Sequence, residues 1–195
     1  MGDDQQRATP PLELWGGVEC TVVRIGEEFR DQVMETGHAT RLGDLDAIAA
    51  LGIRTVRYPI VWERVAPDRP GKHDFGWHDE RLRRLRDLGV RVIGGLVHHG
   101  SGPRYTNLLD PDFGRKLADY AAVVAERYPW IELWTPVNEP LTTARFSGLY
   151  GHWYPHKRNY RDFLAALVNE CDGSLRAMRA IREVNPGALH LVTED

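Results

Sequence analysis

Cysteine is nearly absent: Cys20 and Cys171 are the two thiols in 195 residues. So few, and so far apart, they argue against a disulfide framework or a metal knuckle, and the expectation is two buried free thiols. Long apolar runs are lacking too, and no stretch approaches the roughly 20 residues that span a bilayer as a helix. Charge of one sign is not in excess either. The net charge of -3 gives no reason to expect nucleic acid or an anionic membrane as a partner. The segment Met1 to Pro11 has neither the basic nor the apolar region of a signal peptide. It reads as a flexible polar tail ending in Pro10-Pro11, and the expected location is the cytoplasm. Gly2 does not open a myristoylation motif, because Gln6 stands where Ser or Thr is required. No Gly-x-Gly-x-x-Gly follows the first strand-like run, so the phosphate turn of a dinucleotide fold is missing. No cofactor is expected.

What is present is an alternation of short β-like runs and amphipathic helical stretches. Hydrophobic residues make up 42% and charged residues 27%, as in an ordinary globular protein. A first strand runs through Leu12–Trp15 to Gly16-Gly17. A helix over about 41–51, with Leu42, Leu45, Ile48, Ala49 and Leu51 on one face, is capped by Gly52, and a second strand follows over Ile53–Tyr58. Leu88-Gly89-Val90-Arg91-Val92-Ile93 repeats that helix-end, glycine, new-strand corner. The basic cluster Arg81, Arg83, Arg84 and Arg86 is interleaved with leucines and reads as a solvated helix face. A third strand over Val90–Val97 and a helix over about 111–128 come next. A fourth strand, Trp130–Trp134, leads toward Asn138-Glu139. A long helix over 160–184 should turn Phe163, Leu164, Leu167, Cys171, Leu175 and Met178 inward, and a fifth strand covers Leu189–Thr193. Four βα units and a further strand predict an α/β fold over 12–195: part of a TIM (β/α)8 barrel, a fold that needs roughly 250 residues.

In such a barrel the chemistry lies at the carboxyl ends of the strands. Those ends carry Glu19 (and, further on, Arg24), Arg57 with Trp62-Glu63-Arg64, His98-His99, Asn138-Glu139 and Glu194-Asp195. Pro140 cannot donate to a ladder, so it stops the fourth strand and leaves Glu139 at the rim, where a carboxyl beside an amide can act as a proton donor. Planar donors and aromatic faces gathered at one rim suit a polyhydroxylated ligand. His98 and His99, as neighbours on a strand, should point to opposite faces and make poor joint metal ligands, so no metal is expected.

These residues resemble the (β/α)8 glycoside hydrolases, most closely the family 1, β-glucosidase-like enzymes. Arg57-Tyr58-Pro59-Ile60-Val61-Trp62-Glu63-Arg64 keeps the Arg, Ile, Trp and Arg of that family's second strand. His98 matches its third strand, with His99 in place of a Trp, and Asn138-Glu139-Pro140 matches its fourth. The loop Gly148–Pro155 is similar to the one that follows. The resemblance implies Glu139 as the catalytic acid/base, Asn138 and His98 as sugar-contacting residues and Arg57 as the residue that orients the carboxylates; Glu19 and Trp62, at the same rim, are expected to bind substrate with them. It also implies a nucleophilic carboxylate on a seventh strand, beyond the five read here. Glu194 is a poor substitute, since adjacent strand ends do not place carboxylates on opposite faces of a ring. Glu19-Cys20-Thr21 departs from the family's sugar-gripping Gln. Together with Tyr58–Arg64 it is similar to the glycosidase-like half of bacterial fusions with a dTDP-4-dehydrorhamnose reductase-like domain. The implied function is hydrolysis of β-linked glycosides by two carboxylates, incomplete without further strands. The alternative is a non-catalytic carbohydrate-binding or scaffold module serving a sugar-nucleotide reductase. The implied partners are a carbohydrate and either the missing C-terminal half-barrel or a second copy of the chain.

Overall fold

The computed structural model describes residues 12–194; the tail expected over Met1–Pro11 and the rim position given to Asp195 lie outside them. The frame is an α/β fold on a five-stranded parallel sheet, part of a TIM barrel. Its strands are β1 (Trp15–Gly17), β4 (Thr55–Pro59), β5 (Arg91–His98), β6 (Leu133–Asn138) and β7 (Leu189–His190), neighbours in that order. A separate antiparallel hairpin, β2 (Val22–Ile25) with β3 (Glu28–Asp31), departs from the carboxyl end of β1. The chain reverses between them at Gly26, whose φ of 63° is what a two-residue hairpin turn demands. Helices α1 (Gln32–Glu35), α2 (Asp44–Ala50), α3 (Trp62–Val65), α4 (Gly76–Asp87), α5 (Phe113–Arg127), α6 (Pro140–Ala144) and α7 (Tyr160–Val184) make up the connections. A single π-helical turn, Arg145–Leu149, follows α6.

The core lies between the sheet and these helices, where Tyr58, Trp62, Leu82, Leu85, Leu96 and Trp134 are essentially inaccessible. Apolar burial of this kind is the main stabilising term. Trp134 lies so close to β5 that a Cβ at Gly94 would sit 2.7 Å from its ring, so the glycine makes room for the indole. Helices α5 and α7 approach closely where Gly114 and Gly173 meet; a Cβ on Gly114 would lie 3.3 Å from the Gly173 Cα.

Five expectations are corrected. The long helix turns Ala166, Glu170, Gly173, Ser174, Ala177, Met178 and Ile181 inward. Leu164 and Leu175 are exposed, as is Cys171, so only Cys20 is a buried thiol. Met178 is buried as expected and Phe163 and Leu167 pack against the core, with the small residues Ala166, Gly173, Ser174 and Ala177 completing that face. Arg81 is not solvated: it is buried, donates to the Ala39 carbonyl and lies 4.3 Å from the Trp77 ring centre. The fourth strand runs later than expected, from Leu133 to Asn138, and includes Pro136. Its ladder pairs Thr135 with Gly95 and Val137 with Val97, passing over the proline that has no N–H to give. The fifth strand is paired over Leu189–His190 only.

Candidate active site

The strand ends bring together most of the residues that the sequence singles out. Register aligns Gly17 with Arg57, Arg57 with Ile93, and His98 with Asn138. The Arg57 guanidinium donates to the Asn138 amide oxygen. That oxygen also accepts from the Thr193 hydroxyl at 3.0 Å. With its oxygen fixed twice, the buried Asn138 side chain has one orientation, and its amide nitrogen lies 3.3 Å from His99 Nε2. His99 Nδ1 lies 3.0 Å from the Thr143 hydroxyl on α6.

Glu139 is the residue where β6 becomes α6. Pro140 occupies the first helical position, and Glu139 itself has a left-handed backbone, φ 47°. A non-glycine residue there is sterically disfavoured and persists only when its surroundings over-determine it. Here the backbone N–H of Glu139 donates to Thr193 Oγ1 at 3.4 Å, and its carbonyl accepts from Thr143. Its carboxyl oxygen Oε2 stands 3.5 Å from His99 Nε2, with about a fifth of the side chain exposed.

Glu19 and His98 form a second acid–imidazole pair, 3.2 Å apart. Burial, then the nearby His99, pushes the His98 pKa down to about 4, so the ring is neutral near pH 7. Burial works against ionisation of Glu19, but His98, the Thr21 hydroxyl at 2.9 Å, His99 and Arg57 outweigh it and hold the carboxyl below its ordinary range. Burial also pushes the neighbouring Cys20 thiol up to about 12, which leaves it an inert packing group. Below the rim, a cavity of about 430 Å³ is lined by Trp15, Arg57, Ile93, Thr135 and Leu191.

Two placements differ from expectation. Trp62 offers no face to a ligand: it is 1% exposed, stacked on Tyr120 and hydrogen-bonded to the Tyr105 hydroxyl. His98 and His99 do not point to opposite sides. β5 ends at His98, and His99 turns with φ 55°, so the two rings stand 4.9 Å apart at the same mouth. Arg24 belongs to the hairpin wall, where its guanidinium lies 3.8 Å from the Tyr154 ring centre. Glu194 Oε2 accepts from the Leu141 N–H at the start of α6.

Thr143 and Thr193 are site residues that the strand-end reading missed, and His99, placed at the rim with His98, was given no role there. Above them the Trp153 ring is centred 5.5 Å from that of His99 and is stacked on Phe146. Among the described residues no group of three or more His, Cys, Asp or Glu side chains is arranged to hold a metal ion. No described helix is long and apolar enough to cross a membrane.

No protein-family profile matches the chain. It is 25% identical over 158 residues to β-glucosidase A of Thermotoga maritima, covering 76% of this chain and 35% of that protein. It is 26% identical to β-glucosidase 4 of rice, over 57% of this chain and 25% of the relative. A further rice relative, probable inactive β-glucosidase 14, is 24% identical over 57% of this chain and 23% of its own length. The chain thus spans about a third or less of these relatives. Among solved structures, the family 1 β-glucosidase of Thermotoga maritima superposes with a TM-score of 0.73 at 21% identity, over 80% of this chain and 38% of that one. The same enzyme in complex with cyclophellitol gives the same score over 37% of its chain. In sequence and in fold, the chain is similar to part of a family 1 glycoside hydrolase barrel.

Proposed function

We propose that the chain supplies the proton-donating side of an O-glycosyl hydrolase site for β-linked sugars. The observation that carries this reading is the placement of Asn138 and Glu139: an amide locked by Arg57 and Thr193, beside a carboxyl held at the rim by a left-handed turn. Glu139 protonates the leaving glycosidic oxygen and then, as a carboxylate, takes a proton from the incoming water. Asn138 keeps its oxygen for Arg57 and Thr193, so its amide nitrogen is the atom that donates to a ring hydroxyl of the substrate. Glu19 accepts from glycone hydroxyls with the neutral His98 as its partner. The Trp153 ring, backed by Phe146, gives a C–H-rich sugar face a surface on which to stack.

Two-carboxylate hydrolysis with retention needs an opposing carboxylate about 5 Å from the first. Glu194 is engaged with the α6 backbone. By the resemblance to family 1 enzymes, the attacking group is assigned to strands beyond the five described. The test is hydrolysis of β-glycosides by the protein that carries this chain. Glu139→Gln is expected to lower the rate by about 10²- to 10⁴-fold. The loss should be larger for alkyl than for nitrophenyl leaving groups, which need less protonation. An unchanged rate removes Glu139 from the mechanism.

A second reading, a non-catalytic carbohydrate-binding or scaffold module serving a sugar-nucleotide reductase, is favoured by one specific observation. One relative is itself named as probably inactive. Sugar binding that survives in Glu139→Gln, with no turnover in the parent protein, selects that reading.

A further inference from the structure

Glu63 lies outside the constellation just described, yet its side chain ends beside it. It is the second residue of α3, and 5% of its surface is exposed. Oε1 accepts from the Gly102 N–H at 2.9 Å, and Oε2 is buried without a hydrogen-bond partner. Any Cβ on Gly100 would overlap this carboxyl and would crowd the Val22 carbonyl of the hairpin as well, so the turn packs directly against both. The turn it grips, Gly100–Gly102, begins one residue after His99. His99 has a left-handed backbone, which persists only where its surroundings over-determine it.

We propose that Glu63 is a positioning residue: by anchoring the turn after β5 it sets the orientation of His98 and His99 at the rim. The Gly102 N–H and the backbone N–H of Glu63 itself favour the ionised carboxyl, but burial opposes it more strongly. Asp31 opposes it, and Arg64, the next residue, is paired with Asp31 instead. Cys20, Tyr105 and Tyr120, whose own ionisation Glu63 disfavours, are the other titratable neighbours. Burial pushes the Glu63 pKa up to about 7. Burial thus favours the proton-bearing form, and as the pH rises through neutrality a buried charge develops beside the turn that Glu63 holds.

The experiment follows the His98 and His99 imidazole resonances by NMR, assigned with His98→Gln and His99→Gln. Glu63→Gln keeps an oxygen for the Gly102 N–H and cannot ionise. At about pH 6 its histidine resonances should overlay those of the parent. Between about pH 6 and 8 the parent should show a step in the His98 resonance, centred near the Glu63 pKa, that Glu63→Gln lacks. Glu63→Ala should displace both imidazoles across the range while circular dichroism stays native. If Glu63→Ala does not fold, the parent and Glu63→Gln titrations decide alone. A step retained in Glu63→Gln, or histidine resonances unmoved in a folded Glu63→Ala, overturns the proposal. Neither readout involves a sugar, so the result stands apart from the role given to Glu139.

Discussion

Replacing Glu63 by Gln should make the protein more resistant to unfolding at alkaline than at acidic pH, relative to its parent. An acid whose folded pKa is raised favours the native state fully below its unfolded pKa, and that advantage is lost as the pH climbs to the folded value. For Glu63 the window runs from 4.5 to about 7. Evaluated at about pH 5 and about pH 8, the two titrations differ by roughly 1.8 units, or about 2.5 kcal/mol. Burying the glutamine amide costs about 1–3 kcal/mol of its own. That cost is the same at both pH values and cancels in the comparison. Urea unfolding followed by tryptophan fluorescence gives the four stabilities required. The variant-minus-parent difference should grow by about 2.5 kcal/mol from acid to alkali. Equal differences at the two pH values would show that the carboxyl is not held in a desolvated site, and the physical basis of the anchoring role would fall with it.

His78 should act in the opposite direction. Burial depresses its pKa to about 3, and both ring nitrogens are buried without partners. His78→Phe should therefore gain stability over the parent as the pH falls from about 6.5 toward 4, by about 2 kcal/mol near pH 5; acid unfolding curves check this. Gly94→Ala places a Cβ against the Trp134 ring and should cost about 1–3 kcal/mol, measured by urea unfolding. Arg57→Leu removes one of the two donors fixing Asn138 and should weaken binding of a glucose analogue about tenfold or more, with little change in melting temperature. Calorimetric titration reads that loss, and unaltered affinity would show that the Asn138 amide needs no such fixing.

The alternation of strand and helix was legible because each unit carries its own punctuation, such as Gly52 and Gly89, both at positive φ after a helix. The rim residues followed from those boundaries, which is why Arg57, His98, Asn138 and Glu139 could be named from sequence. Periodicity was half right on α7, placing Phe163, Leu167 and Met178 but not Leu164, Cys171 and Leu175, because that helix carries two apolar stripes and spacing alone does not say which one packs. The small residues Gly173, Ser174 and Ala177 answer it, since close helix approach requires them. Alternation failed at His99 because one left-handed residue is enough to undo a period of two. The hairpin at Val22–Asp31 was announced by Gly26 and went unread, its strands being only four residues each.

In the main sheet each strand lies beside the one that precedes it in the chain, the hairpin being a detour at the mouth. A nascent chain can therefore lay down its sheet one unit at a time, each new strand finding a finished edge to join. Glu19, His99 and Glu139, at the mouth, lie outside that ladder. Selection can rewrite the mouth, exchanging a Gln for Glu19 or an aromatic for His99, while the order of assembly stays the same.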